Sequence, residues 1–359
     1  NHVYGPGEER VKIERFAENP VITPADVPPS RPDFEVMCAF NAGVARYRDE
    51  TILLLRVAER AISNDLVARV PVLRCDPGTN ACVEVLEFER RDPMIDFRDP
   101  RVIVTADGLF LTTISHLRVA RSRDGRNFTV DPEPALFPDR ASEIYGIEDS
   151  RITEIEGRYY VAYKSVSPTG ICCALAVTDD FVEYEKLGII FHPENLDVCI
   201  FPEKVNGRYA ALHRPVPRMF GEPNMWIAYS PDLVSWGDHR FLMGVQADSW
   251  DSARIGGGAI PIRTEHGWLE IYHGATPDDI YCLGAVLLDL DEPHKIIARG
   301  KEPIMRPEAP YETSGFVSNV VFSCGAVVDG DRITVYYGAA DTSMAAAEMS
   351  LREILDFLA

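Results

Sequence analysis

The stretch Tyr145-Gly-Ile-Glu-Asp-Ser-Arg-Ile-Thr-Glu-Ile-Glu156, followed by Gly157 and Arg158-Tyr-Tyr-Val-Ala-Tyr163, decides how the chain is read. It has a charged start, an apolar β-type run, a tight turn at Gly157 and a second β-type run. Successive strand residues point to opposite faces. Glu148 and Asp149 are therefore expected to face opposite ways, while Asp149 and Arg151 share a face. A carboxylic acid beside a fixed cation at a strand entrance suits acid catalysis near an anion. A surface turn closed by an ion pair is the plainer alternative.

The same pattern recurs along the chain. Comparable starts lie near residues 41, 99, 149, 202, 256 and 319, roughly 50 to 63 apart. Turns follow them at Asp49-Glu50, Ala106-Asp-Gly108, Gly157, Asn206-Gly207, Glu265-His-Gly267 and Asp329-Gly-Asp331. Short strands repeated at this period predict an all-β chain, and a β-propeller before a β-sandwich. In a propeller the first strand of each blade lines the axis, so the polar starts would converge on one funnel. Residues 1–35, Pro-rich and charged, are expected to be an extended N-terminal segment that wraps the fold. Ser350-Leu-Arg-Glu-Ile-Leu-Asp-Phe-Leu358 is the one firm helical pattern, giving a C-terminal helix over 350–358. The whole of 1–359 is read as a single domain.

Composition narrows the partners. The chain has 359 residues, 46% of them hydrophobic, and a net charge of −20. That charge argues against nucleic acid or an anionic membrane as a partner. No apolar run approaches the length of a membrane-spanning helix, and the start Asn-His-Val-Tyr-Gly lacks a basic-then-apolar signal pattern. Most of the eight cysteines sit in apolar strands, as in Ile171-Cys-Cys-Ala174. This fits free thiols in a reducing, cytoplasmic setting, although Cys75 and Cys82 flank a turn and could bridge a hairpin in an exported protein. Neither cysteine nor histidine spacing fits a metal site, so no metal and no cofactor are expected.

Converging blade starts would collect Asn41, Arg56, Arg98, Asp99, Glu148, Asp149, Arg151, Lys204, His213, Arg214, His273 and Asp341 in one funnel. A purely acidic funnel suits glycoside hydrolysis by two carboxylates. Acids mixed with Arg and His suit a site that also grips an oxyanion such as phosphate.

Eight stretches, in order, carry a resemblance: Phe97-Arg-Asp-Pro-Arg101, Tyr145-Gly-Ile-Glu-Asp-Ser-Arg151, Phe201-Pro-Glu-Lys204, Leu212-His-Arg-Pro215, Arg254-Ile-Gly-Gly-Gly258, Tyr272-His-Gly274, Gly284-Ala-Val-Leu-Leu-Asp-Leu290 and Tyr336-Tyr-Gly-Ala-Ala-Asp341. Together they resemble glycoside hydrolase family 130. The resemblance implies a five-bladed β-propeller, one blade fewer than the six starts counted here, so that one start is a partial blade or ring closure splits one. It implies inverting phosphorolysis of β-mannosides to α-mannose 1-phosphate, with inorganic phosphate as co-substrate and a manno-oligosaccharide as the other partner. It puts the acid at Asp149, acting through the mannose 3-hydroxyl. Phosphate roles fall on Arg56, Arg151, His213 and Tyr281. Mannose contacts fall on Asn41, Asp99 and Asp341, and Arg98, Lys204, Arg214 and His273 complete the substrate site. Ala39–Val44, Gly315–Phe322 and Ala340–Met344 resemble members acting on β-1,2-mannobiose and β-1,2-oligomannan. A homo-oligomer is compatible with all of this.

One position departs from the pattern. Leu196, in Glu194-Asn-Leu-Asp197, stands where phosphorylases are expected to carry a basic residue. It keeps an inverting β-mannosidase of the same family open; a β-1,4-mannoside phosphorylase is a separate alternative. Phosphorolysis needs one protein acid, because phosphate is already an anionic nucleophile. An inverting hydrolase needs a second carboxylate roughly 6.5–9.5 Å away to activate water, for which Glu203 and Asp251 are the candidates.

Overall fold

The computed structural model describes residues 11–75 and 81–359, and among these it is all-β with two short helices, Pro310–Thr313 and Leu351–Leu358. Most strands are rich in Val, Ile, Leu, Ala and aromatic residues, and several, such as Asn195–Ile200 and Trp268–Ala275, are buried along their whole length and on both faces. Most strands fall into antiparallel groups of four. The first holds Phe34–Tyr47, Glu50–Ala61, Ile114–Ser122 and Thr129–Val130. The second holds Gly146–Ile155, Arg158–Ser167, Gly170–Thr178 and Glu185–Phe191. The third holds Asn195–Ile200, Tyr209–Pro215, Met225–Ser230 and Gly237–Met243. The fourth holds Arg254–Gly257, Trp268–Ala275, Tyr281–Leu288 and Ile296–Arg299, with the two-residue Ile262–Arg263 as a fifth strand also paired to Trp268–Ala275. The fifth holds Val321–Asp329, Arg332–Ala339 and Ser343–Ser350, with Glu14–Arg15 as its outer strand.

Single parallel pairs join neighbours: Gly43 with Cys324, and Gly146 with Ser115. Apolar packing joins the rest in cyclic order. Leu54 and Leu117 of the first group pack with Ile147 and Val161 of the second. Leu175 and Phe191 pack with Ile200 and Ala211 of the third. Leu212 and Ile227 pack with Trp268 and Tyr272 of the fourth. Ile271 and Leu283 pack with Val335 and Tyr337 of the fifth, and Tyr336 and Met344 pack back onto Phe40 and Leu55 of the first.

The start near residue 99 does not open a group of its own. Ile114–Ser122, which follows that start along the chain, pairs with Glu50–Ala61 throughout, for example Arg56 with Leu117. What lies between them is an insertion of two hairpins, Val67–Arg74 with Cys82–Glu89 and Val102–Thr105 with Gly108–Leu111. Six starts thus become five groups. The turn between Cys75 and Cys82 lies partly outside the described residues. The helical pattern at the C-terminus forms as expected, with the Ser350 hydroxyl capping the Glu353 amide.

The N-terminal segment is fastened to the fifth group by a buried carboxylate. Glu312 accepts from Arg15 (Nε, 2.7 Å; Nη2, 3.0 Å) and from the Tyr337 hydroxyl (2.6 Å). It also accepts from the backbone amides of Glu308 and Ala309. Removing one partner of a buried pair strands the others at a cost of about 3–5 kcal/mol. Glu312→Ala should lower stability by about that amount, read as an earlier urea midpoint with the slope unchanged. An unchanged midpoint would mean that the outer strand is held by other contacts.

Candidate active site

The first strands of three groups break register at the same place: between Phe40 and Gly43, between Glu148 and Arg151, and between Leu196 and Cys199. At each break one polar residue takes a left-handed backbone: Asn41 (φ 45°), Asp149 (φ 44°) and Asp197 (φ 57°). A bulge re-aims a side chain, and strain of this kind gathers at functional sites. Here it overrides the strict alternation expected from sequence. Glu148 and Asp149 do not point to opposite faces: Arg56 reaches both, Nη2 to Glu148 Oε1 at 2.7 Å and Nη1 to Asp149 Oδ1 at 3.1 Å.

Asp149 is buried and fully engaged. Its Oδ1 also accepts from Asn41 Nδ2 at 3.1 Å, and its Oδ2 accepts from Lys164 Nζ at 2.5 Å. Burial alone would raise its pKa, but the charges of Lys164 and Arg56 outweigh it and hold the carboxyl well below the usual range. Lys164 lies opposite Glu148 in register. Burial disfavours its charge, yet Asp149 and Asp197 keep it firmly protonated.

Asp197, with no exposed surface, is the second hub. Arg151 Nη2 donates to its Oδ1 at 3.2 Å, Arg214 Nη2 stands 2.9 Å from Oδ2, and Lys164 Nζ is 3.8 Å from Oδ1. His273 Nε2 is 3.3 Å from Oδ2, and burial pushes that imidazole down to about 4 against the pull of Asp197, leaving it neutral at pH 7. Arg151 also donates to the carbonyls of Gly257 (2.7 Å) and Gly258 (3.1 Å). The glycines of Arg254-Ile-Gly-Gly-Gly258 are needed for this approach: a Cβ on Gly256 would stand 2.4 Å from Asp197 Oδ2. Beneath them the Gly258 amide donates to Glu270 Oε1 at 2.9 Å, and burial pushes that carboxyl well above its ordinary range.

The structure therefore brings together Asn41, Arg56, Asp149, Arg151, Arg214 and His273. Tyr281 borders His273, with ring centroids 6.0 Å apart, and accepts from Arg254 Nε at 2.7 Å. Asp341, half-buried at φ 49°, sits in the fields of Arg56 and Asp149. Others stand apart. His213 meets Asn195 at 3.1 Å and His239 at 3.2 Å and stacks on Phe191; burial, then His239, pushes it down to about 3. Its neighbour Arg214, on the opposite strand face, is the one that reaches Asp197. Lys204 is exposed over the Tyr209 ring. In the insertion, Arg98 is 91% exposed and pairs with Asp96, and Asp99 pairs with Arg101 at 2.9 Å. Arg101 also feels the charges of Asp279 and Asp341, so this loop lies on their side of the molecule.

Sequence reading missed Lys164 and Asp197 as site residues. Each is the only charged residue in a buried stretch, Tyr159–Ser167 and Asn195–Ile200 respectively, and that isolation was the available signal. Leu196 is buried and pairs across the strands with Arg214, so a cation is present beside Asp197 despite the leucine. Glu203 lies on the surface near Arg263, and Asp251 is taken up by Arg299 (2.6 Å) and the Tyr272 hydroxyl (3.1 Å). Among the described residues no cluster of His, Cys, Asp and Glu could hold a metal ion.

Comparison with known proteins places this geometry. The sequence model of glycoside hydrolase family 130, described as beta-1,4-mannooligosaccharide phosphorylase, matches residues 111–359. The chain is 49% identical over 350 residues to the Beta-1,2-mannobiose phosphorylase of Listeria innocua, covering 96% of this chain and 98% of that protein. It is 43% identical over 246 residues to the 1,2-beta-oligomannan phosphorylase of Thermoanaerobacter sp. strain X514, covering 67% and 80%. The solved Listeria innocua phosphorylase in complex with beta-1,2-mannobiose has a TM-score of 0.92 at 48% identity, covering 96% of this chain and 99% of that one.

Burial raises the Asp341 carboxyl from 3.8 to about 6, against Arg56 and with the help of Asp149. A raised folded-state value favours folding below the unfolded value and loses that contribution as pH climbs through about 6. The opposite shift of Asp149 acts below pH 4 and is common to both proteins compared. Asp341→Asn should therefore gain stability relative to wild type as pH rises from 4 to 7, read by urea denaturation at each pH. A difference that stays flat across that window would contradict the burial assigned to Asp341.

Proposed function

The chain belongs to glycoside hydrolase family 130, and from that premise we propose that it is an inverting phosphorylase, cleaving β-1,2-linked manno-oligosaccharides with inorganic phosphate to give α-mannose 1-phosphate. The observation that carries this reading is one buried carboxylate, Asp149, beside a group of basic side chains gathered on a second, Asp197. The relatives named as β-1,2-mannobiose and β-1,2-oligomannan phosphorylases support the linkage. The five antiparallel groups, packed in cyclic order, support a five-bladed propeller with the site at the inner strand starts. Six buried thiols, Cys38, Cys172, Cys173, Cys199, Cys282 and Cys324, support a reducing cytoplasmic setting. No helix among the described residues is long and apolar enough to cross a membrane.

In this mechanism phosphate attacks the anomeric carbon from the face opposite the leaving sugar. The C–O bond to phosphate forms as the glycosidic bond breaks, and the configuration inverts. Asp149 gives its proton to the mannose 3-hydroxyl, which passes its own to the glycosidic oxygen. No protein base is needed. Catalysis is positioning and charge neutralisation. We assign phosphate to Arg151, Lys164, Arg214 and neutral His273, with Tyr281 beside it, and mannose to Asn41, Arg56 and Asp341.

The network also explains how an acid held so low can act. Lys164 bridges Asp149 and Asp197 in the free protein. An incoming phosphate competes for Lys164 and so weakens one of the cations that keep Asp149 ionised, which raises its affinity for a proton when the nucleophile is in place.

Two outcomes test the reading. Asp149→Asn should lose at least about 10³-fold in turnover, on the scale of a lost general acid, with an unchanged circular dichroism spectrum; near-normal turnover would remove the acid assignment. In the synthetic direction, α-mannose 1-phosphate and mannose should yield phosphate and a β-1,2-linked disaccharide, identified by NMR. A β-1,4 product would move the chain to the other linkage.

A further inference from the structure

Beneath the basic side chains lies a carboxyl group that phosphorolysis does not use. Glu270, on Trp268–Ala275, has no exposed surface. Trp268 and Tyr272, two residues to either side, share its strand face. Both belong to the apolar seam between the third and fourth groups, with Cys199, Leu212 and Val286. A carboxyl group in such a seam is costly unless it is bonded and neutral. Burial pushes Glu270 well above its ordinary range, and the Gly258 amide and the charge of Arg151 pull the other way without offsetting it. Its Oε1 accepts from the Gly258 amide at 2.9 Å, while its Oε2 is buried with no hydrogen-bond partner among the described residues.

The Gly258 amide shares a peptide unit with the Gly257 carbonyl, and in a trans peptide the two point in opposite directions. That carbonyl accepts from Arg151 Nη2 at 2.7 Å, and the same nitrogen donates to Asp197 Oδ1 at 3.2 Å. Glu270 and Arg151 therefore hold the two ends of one peptide unit. The pairing of Arg254–Gly257 with Trp268–Ala275 ends at Gly257, so the Gly258 amide takes a side chain in place of a ladder partner. Glycine leaves this backbone free to turn, and larger residues cannot stiffen it. A Cβ on Gly257 would stand 2.5 Å from Cys199 Sγ, and one on Gly258 2.2 Å from the Ile271 carbonyl oxygen. The hydrogen bond to Glu270 fixes the plane that the side chains cannot.

We propose that Glu270 is a positioning residue of the reaction, setting through the Gly257–Gly258 peptide the orientation in which Arg151 meets phosphate. The inference rests on the phosphorylase reading and adds a residue that acts from below the phosphate site. As a neutral acid, Glu270 supplies an acceptor without a further negative charge to compete with phosphate for Arg151.

The test measures KM for phosphate and for β-1,2-mannobiose in wild type, Glu270→Gln and Glu270→Met. Gln keeps an acceptor facing the amide; Met fills similar space without a comparable one. The Gln protein should keep its phosphate constant within about 2-fold, while the Met protein should raise it about 5- to 10-fold, the size of one lost neutral hydrogen bond. The constant for mannobiose should not move. In an Arg151→Lys background, where the planar fork is gone, the effect of Glu270→Met should shrink below about 2-fold, because it acts through Arg151. Glu270→Leu replaces Glu270→Met if the latter does not fold. An unchanged phosphate constant in the Met protein, a Gln protein as impaired as the Met protein, or equal losses on both substrates would overturn the role of Glu270 and leave the phosphorylase reading intact. A wild type whose cleavage is independent of phosphate would remove both.

Discussion

Everything at the candidate site depends on Lys164 lying between two buried carboxylates, Asp149 and Asp197. Buried charges are costly unless each is paired and its remaining lone pairs or protons are satisfied. The answer here is mutual: Arg56 and Asn41 complete Asp149, while Arg151, Arg214 and His273 surround Asp197. Neither hub stands without the other, because Lys164 and Arg151 serve both regions; Arg151 also donates to the Asp149 carbonyl at 3.3 Å. Such an arrangement holds its geometry before substrate arrives, which is what electrostatic stabilisation of a transition state requires.

The fold supplies this network by repeating one device. Three first strands bulge at the same level and turn Asn41, Asp149 and Asp197 out of the alternation of their strands. Between them the backbone closes in: Gly338 leaves room for Asn41, whose Oδ1 would lie 2.0 Å from a Cβ there, and Gly256 leaves room for Asp197. The apolar seams between groups fix the spacing of the inner strands to within side-chain packing, so the charged residues inherit a rigid frame. The two-hairpin insertion is tied to the second group by the Tyr145 hydroxyl, which donates to the Leu109 carbonyl. The family model matches residues 111–359 and so leaves out the strands Phe34–Tyr47 and Glu50–Ala61 as well as nearly all of the insertion.

Much of this was legible in the sequence. The strand–turn–strand repeats pointed to an all-β chain, and the ordered motifs singled out Asp149 with Arg56, Arg151, Arg214 and His273 nearby. Three things were not legible. A bulge is a local shift of register, which a period-2 reading cannot represent, so Glu148 was sent to the wrong face. A long-range pairing decides which group a strand joins, and the sequence does not show that Ile114–Ser122 pairs with Glu50–Ala61 across the two inserted hairpins. Lone charges inside apolar strands, such as Lys164 and Asp197, look like packing anomalies until their partners from other groups are seen. Adjacent motif residues also divide by strand face, which is why Arg214 reaches Asp197 and His213 does not.

In the proposed mechanism phosphate is more than a second reactant, because it competes with Asp149 for Lys164. The most direct test is cleavage of β-1,2-mannobiose by the intact chain, followed by NMR, with inorganic phosphate titrated from zero. The account predicts negligible cleavage without phosphate and saturable release of mannose and α-mannose 1-phosphate in equal amounts with it. Release of free mannose alone, at the same rate whether or not phosphate is present, would contradict it.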